Sequence, residues 1–407
     1  FYVGGGDSEM CPYAMEGAPL LVPGTVKGRG NSSWLHDKRS YTIKLDKKSE
    51  VLGIEKSKNW ALVANYEDKT LLRNHVASYI AETVGLEYVM KTRLVDLWLN
   101  GEFWGSYTLI EKIEIENTRV NITDYSDAVE ALGGGDVVPE PNQVGYLMEF
   151  DAHVMEENAG TDNVIVLDPE RWESYGWSRV GKAAYYNPET DETFFAVGPK
   201  WLTIKKPSTK NLNEEMVDYI YDKVQEAYRF LEDRNYDQFS RRADVDSFVK
   251  WYLIEEFMNN TDSSMHSSVY MTLDVNGKLK LGPVWDFDRS SGNCNYWNTE
   301  NSPSSLYNSG AGWFRNLFRM PEARALLKQE WQAFVEKTGT LDDTIYAMGE
   351  MVAESQKLNY ERWDVLTTPI GANFKDIWQT CYSDYLYDLM DYLMKRRVAM
   401  HQFILRI

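Results

Sequence analysis

Residues 259–293 read Asn259-Asn260-Thr261-Asp262-Ser263-Ser264-Met265-His266-Ser267-Ser268-Val269-Tyr270-Met271-Thr272-Leu273-Asp274-Val275-Asn276-Gly277-Lys278-Leu279-Lys280-Leu281-Gly282-Pro283-Val284-Trp285-Asp286-Phe287-Asp288-Arg289-Ser290-Ser291-Gly292-Asn293. Residues 268–273 have strand character, Asn276-Gly277 reads as a two-residue turn, and residues 278–284 read as the returning strand. Neighbouring strands lie about 4.8 Å apart, so a hairpin brings its open ends together. Asp262 before the hairpin and Asp286 and Asp288 after it are therefore predicted to meet at one end. In phosphoryl transfer, a loop Asp can orient an attacking hydroxyl and accept its proton. A polar residue a few positions on and an Asp after the hairpin can hold Mg²⁺ on the nucleotide phosphates. The plainer reading is that these Asp side chains only cap turns. Three converging carboxylates repel one another unless a cation is present, which favours the chemical reading.

The segments around the hairpin give the fold class. Before it, Val245, Phe248, Val249, Tyr252, Leu253 and Phe257 form the apolar face of a helix that Asp244 can cap. Residues 214–231 predict a long helix, and residues 321–407 are helical with connecting loops. The first half differs. Residues 40–45 alternate, with Tyr41, Ile43 and Leu45 on one face and Thr42 and Lys44 on the other. Residues 68–84 predict a helix ending at Gly85. Residues 93–99 and 103–113 form a hairpin about Asn100-Gly101, residues 145–151 and 201–205 are two further strands, and residues 152–198 read as an irregular insertion. The class is α+β, with a β-rich N-terminal part over 1–207 and a helical C-terminal part over 208–407 that carries the hairpin.

Composition excludes several functions. The 407 residues include 62 Asp and Glu against 43 Lys and Arg, a net charge of −19. A general nucleic-acid binder needs a broad positive surface, so that partner is not expected. No uninterrupted apolar run is long enough to span a bilayer. The start, Phe1-Tyr2-Val3, reads as the interior of a longer protein or a mature terminus, with any signal peptide outside the sequence. Three cysteines make no disulfide framework, and the five histidines have no metal-ligand spacing. The 14 Trp, 26 Tyr and 15 Phe fit a well-filled core better than a carbohydrate-facing surface, because most lie in apolar-periodic segments.

Against this acidic background, residues 27–44 are basic. Lys27-Gly28-Arg29-Gly30-Asn31-Ser32-Ser33-Trp34 offers exposed backbone N–H groups in a loop that can approach phosphates. Arg29, Lys38, Arg39 and Lys44 make a local positive site suited to an anionic ligand. Lys44, on the polar face of its strand, can reach a phosphate or stand in solvent. Glu111 is expected to be buried and paired with a base such as Lys44 or Arg73, or to end its strand in water. Glu149 and Asp151 are two more strand carboxylates.

Taken together, these segments resemble the CotH family, the spore-coat-protein-H-like atypical protein kinases. The resemblance is carried by residues 29–34 with 38–44, Leu71-Leu72-Arg73-Asn74, Trp104-Gly105-Ser106-Tyr107 with Glu111-Lys112, Asp262, and Trp285-Asp286-Phe287-Asp288. It implies a two-lobed, atypical kinase-like fold with ATP between the lobes and Mg²⁺ or Mn²⁺ at the acidic end. By that likeness Asp262 is the catalytic-loop Asp and Asp286 the metal-binding Asp. Arg29, Asn31, Ser32 and Ser33 form the phosphate-side loop, Lys44 pairs with phosphate, and Glu111 belongs to the ATP-side set. Residues 204–206, with Lys205, fall near the hinge. The family often has Asn five residues after the catalytic Asp; here that position is Ser267, whose single neutral oxygen is a weaker metal ligand that Asp288 can supplement. The expectation is an extracytoplasmic bacterial kinase that phosphorylates Ser or Thr of a secreted or surface protein with basic or Ser-rich character. The alternatives are a catalytically weakened CotH-like protein that binds a partner or polysaccharide, and a glycoside hydrolase using Asp262 and Asp286.

Overall fold

A computed structural model of the chain describes residues 2–3, 20–30, 32–151, 177–294, 302–368, 370 and 379–407. In chain order its first strands are β1 (Tyr2–Val3), β2 (Leu20–Leu21), β3 (Gly24–Arg29), β4 (Ser40–Val51) and β5 (Ile54–Val63). Helix α1 (Arg73–Val84) precedes β6 (Thr92–Leu99) and β7 (Glu102–Glu111), and α2 (Tyr125–Ala131) precedes β8 (Tyr146–Phe150). Strands β9 (Ser178–Val180), β10 (Ala184–Asn187), β11 (Glu192–Val197) and β12 (Lys200–Lys206) follow. Then come α3 (Glu214–Glu232), α4 (Tyr236–Arg242), α5 (Val245–Phe257), β13 (Val269–Leu273) and β14 (Lys280–Leu281). The chain continues through α6 (Gly312–Leu317), α7 (Pro321–Lys337), α8 (Leu341–Met351), α9 (Ala353–Arg362) and α10 (Tyr382–Arg406). The fold is α+β, as expected, with the helices mostly C-terminal.

Two antiparallel sheets carry the site. Five strands lie in the order β3-β4-β5-β7-β6. The alternation at Ser40 continues for twelve residues, burying Ile43 and Leu45 in a small core with Trp60, Leu62 and Leu109. Asn100 and Gly101 both have positive φ, which makes the tight β6–β7 turn that the Asn-Gly pair predicts. Seven strands form the second sheet, in the order β14-β13-β8-β12-β11-β10-β9. Apolar side chains from α1, β8 and β12 join those of the C-terminal helices in one large core. Helix α1 starts at Arg73, later than the pattern predicts, because Asp68 captures the backbone N–H groups of Thr70 and Arg73 at 3.0 and 2.8 Å. It ends at Gly85, in the left-handed conformation at φ 81°.

Two expectations need correction. Residues 177–198 are not irregular. They form β9, β10 and β11, whose buried Phe194 and Phe195 the polar composition of the segment hid. The remainder of the expected insertion lies outside the described residues. The β13–β14 turn is also centred on Val275-Asn276, one residue before the expected Asn276-Gly277, with the Gly277 N–H on the Asp274 carbonyl at 3.0 Å. Thr272 pairs with Lys280, and the Asp274 side chain accepts N–H bonds from Val275 and Thr123, each at 2.8 Å. Leu279 then pairs with the backbone beside α5, so the returning strand is short.

Candidate active site

A cavity of about 600 Å³ opens between the two sheets, within the size range of small-molecule sites. One wall is basic. Strand β3 ends at Arg29, and Gly30 turns the chain at φ +106°. A Cβ on Gly30 would lie 2.1 Å from Ser33 Oγ, so the turn requires glycine. Gly28 serves a different purpose: its bare Cα admits the Trp34 ring, which a Cβ would meet at 2.0 Å. Arg29 lies 5.3 Å from the centroid of the Trp285 ring. Burial lowers the Arg29 pKa, with the Asp286 carboxylate opposing, and its Nη1 is buried without a hydrogen-bond partner among the described residues. Leaving such a donor unmet is costly, and an anionic oxygen would satisfy it. Lys112, just past β7, lines the same cavity as Ile110 two residues earlier. Burial lowers its pKa, Glu114 opposes, and Arg29 adds to the fall by repulsion.

Carboxylates line the same cavity. Asp262, Ser267, Asp286 and Asp288 all line the cavity. Asp286 is exposed to it and sits at φ +66°, a left-handed conformation that costs a non-glycine residue about 1 kcal/mol or more. Neighbours hold that backbone. Asn260 Nδ2 donates to the Asp286 carbonyl at 3.1 Å, and the Phe287 N–H donates to Asn74 Oδ1 at 2.9 Å. Arg73, ion-paired with Asp68, donates to the carbonyls of Ser290 and Ser291 at 3.0 and 3.3 Å. Helix α1 therefore clamps the segment after the hairpin. Desolvation, then the carboxylates of Asp286, Glu67 and Asp262, push the Asp288 pKa well above the usual range, with Arg289 opposing. This carboxylate crowding is what a bound cation would relieve.

The structure therefore brings together Arg29, Ser33, Asp262, Ser267, Asp286 and Asp288. It does not bring in Lys44, which is exposed outside the cavity although Ser40 and Thr42 on the same strand line it. Glu111 is fully buried but points away from the cavity. It pairs with Arg119 at 3.2 Å and accepts the Lys91 N–H at 2.9 Å, not a bond from Lys44 or Arg73. Lys205 stands behind the wall, paired with Glu192 at 2.6 Å and with cavity-lining Glu149 at 3.3 Å. Asn31 and the Ser32 side chain lie outside the described residues. Lys112 belongs to the segment that carries the resemblance but has no site role in the sequence reading; strand alternation puts it on the face opposite Glu111, with Ile110. Glu67 and Arg289 carry no motif signal of their own, and Asn74, although it belongs to the 71–74 segment of the resemblance, shows its bond to the Phe287 N–H only in the tertiary fold.

Among the described residues, no group of three or more His, Cys, Asp and Glu side chains is arranged to hold a metal alone. Mg²⁺ commonly uses one or two carboxylates and completes its shell with waters and substrate phosphates, so Asp286 and Asp288 fit an ion shared with a polyphosphate. No helix among the described residues is long and apolar enough to cross a membrane. No curated protein matches the chain. The family described as CotH kinase protein matches residues 26–400, nearly the whole chain, and the protein therefore belongs to the CotH kinase family.

Proposed function

We propose that the protein transfers the γ-phosphate of ATP to Ser or Thr hydroxyls of a secreted or surface protein, with ATP and Mg²⁺ or Mn²⁺ in this cavity between two lobes. The carrying observation is the meeting of opposite charges in one cavity: Arg29, whose Nη1 has no partner among the described residues, and Lys112 line it together with Asp262, Asp286 and Asp288. Membership of a kinase family supports a kinase-like phosphotransferase, and in general terms ATP and a divalent metal. In this reading Arg29 and Lys112 bind phosphate oxygens, and Asp262 orients the acceptor hydroxyl and takes its proton. Asp286 and Asp288, helped by the Ser267 hydroxyl, would hold the metal, which supplies charge neutralisation at the phosphates when bound. A net charge of −19 supports a basic acceptor.

Incubation with Mg²⁺ or Mn²⁺ and γ-labelled ATP, with a basic Ser-rich peptide, tests the reading. Label should transfer with the wild-type protein and fall at least 100-fold in Asp286→Ala. ATP and Mg²⁺ together, at 100 times the dissociation constant, should add about 2.7 kcal/mol of stability. Equal labelling by both proteins would refute the assignment.

One observation favours a second reading. Ser267, in place of the family's usual Asn, offers the metal one neutral oxygen. A catalytically weakened surface protein that binds a partner or polysaccharide would retain ATP binding without turnover, and would be held on a partner or glycan column.

A further inference from the structure

The cavity contains a cation to which the assignment above gives no role. Arg289 Nε lies 3.2 Å from Glu67 Oε2, and its Nη1 lies 3.6 Å from Asp262 Oδ2. The Glu67 side chain is only 4% exposed, and its other oxygen is 2.6 Å from His36 Nε2. His36 stacks on Tyr66 with ring centroids 4.8 Å apart, and its backbone N–H donates to the Ser33 carbonyl at 3.4 Å. Asn293 Nδ2 donates to the carbonyls of Glu67 and Asp288 at 3.0 and 2.6 Å, which ties the two segments carrying the Glu67–Arg289 pair to each other. A planar guanidinium held at Nε has its Nη groups restricted in direction. Here that direction is the Asp262 carboxylate.

We propose that Arg289 is a positioning residue for phosphoryl transfer: Glu67 clamps its guanidinium, the guanidinium sets the orientation of the Asp262 carboxylate, and His36 ties the clamp to the phosphate-side loop. The proposal rests on the transferase reading, in which Asp262 takes the acceptor's proton. An Asp free to rotate samples several rotamers, and a misplacement of about 1 Å can cost on the order of 100-fold in rate.

The test compares wild type, Arg289→Gln, Arg289→Lys and Glu67→Gln in steady-state transfer from ATP·Mg²⁺ to a basic Ser-rich peptide, with ATP·Mg²⁺ binding measured by calorimetry. Arg289→Gln should lower kcat by about 10- to 100-fold while ATP affinity stays within about threefold. Arg289→Lys should recover part of the loss, and Glu67→Gln should lower kcat less than Arg289→Gln. Unchanged kcat in Arg289→Gln, or a loss confined to ATP affinity, overturns the proposal. Absence of transfer in the wild type sinks the transferase reading instead. The clamp is then judged by thermal unfolding of Glu67→Gln, Arg289→Gln and the double variant. Non-additive shifts support the clamp, and additive shifts overturn it.

Discussion

Arg29 and Lys44 are both bases in the segment that the sequence marks as a phosphate site, yet strand geometry separates them. Lys44 shares a strand face with Thr42, which lines the cavity. Two residues along a strand advance it by roughly 6.6 Å, and that step takes Lys44 out of the cavity into solvent. Arg29, at the strand end, keeps its charge within the cavity, and its Nη1 has no partner among the described residues. A hydrogen bond to a charged group is worth about 1.5–3 kcal/mol, so Arg29→Ala should weaken ATP·Mg²⁺ binding by roughly 10- to 100-fold. Lys44→Ala should leave it within about twofold. Calorimetric titration of both variants decides the matter, and a larger loss from Lys44→Ala would reverse the assignment. Of the four bases expected to form a positive site, only Arg29 lines the cavity: Lys38 is buried and donates to the Ala64 and Ser106 carbonyls, Arg39 lies over the Trp34 ring, and the register of β3, β4 and β7 puts Lys112 on the cavity and Glu111 and Lys44 off it.

At the scale of elements, the parts of the site with local signals were readable. The alternation of β4, the Asn-Gly turn after β6, the Asp244 cap of α5 and the loop–hairpin–Asp order all follow from residues close in sequence. The exact place of the β13–β14 turn did not: it falls one residue earlier than Asn276-Gly277, closed by the Gly277 N–H on the Asp274 carbonyl at 3.0 Å, and the Asp274 side chain also accepts the N–H of Thr123, a partner 151 residues away in the chain. Nor did the polar floor beneath the site. Glu255, fully buried on α5, accepts a bond from Ser263 Oγ at 2.8 Å, while Asn260 on the same loop holds the Asp286 carbonyl. One buried acid thus underlies both Asp262 and Asp286. Burial raises its pKa from 4.5 to about 8; Ser263 and Asn260 oppose, and the Asp286 and Glu256 carboxylates add to the rise. The folded state therefore keeps a proton that the unfolded chain releases. The stability this contributes is fully present below pH 4.5 and is lost as the pH rises to about 8. Glu255→Gln, which mimics the neutral acid, should flatten this part of the profile, so wild type should lose stability relative to the variant between pH 5 and 8. Parallel unfolding-midpoint profiles for the two proteins would show that Glu255 does not titrate in this window.

Across the whole molecule, the abundant aromatic residues mainly fill the core, as their periodicity predicts. Trp251 stacks on Phe314 at 5.5 Å, and Trp313 packs against Phe248, Phe150 and Tyr228. That core joins α5 to the C-terminal helices, and one buried ion pair fixes their relation. Arg396 on α10 is fully buried, ion-paired with the Glu256 carboxylate, and donates Nε to the Glu256 carbonyl at 2.8 Å and Nη1 to Pro303 at 3.0 Å. Glu256 in turn accepts the N–H groups of Tyr307 and Ser309 at 3.0 and 2.8 Å. Between these two lies Asn308, whose Nδ2 donates to the Asn260 carbonyl at 3.3 Å. The pair therefore anchors a segment that supports the loop carrying Asp262, although Arg396 itself is far along the chain. Removing one member of a buried pair leaves an uncompensated charge and costs about 3–5 kcal/mol, whereas neutralising both costs less. Arg396→Met should therefore lower stability by about that amount, and adding Glu256→Gln to it should restore part of the loss, because the amide oxygen still accepts the Tyr307 or Ser309 N–H without a buried charge. Urea unfolding of both single variants and the double measures this coupling. If the double variant loses the full sum of the two single losses, the pair is not the anchor, and the C-terminal helices are held to α5 by apolar packing alone.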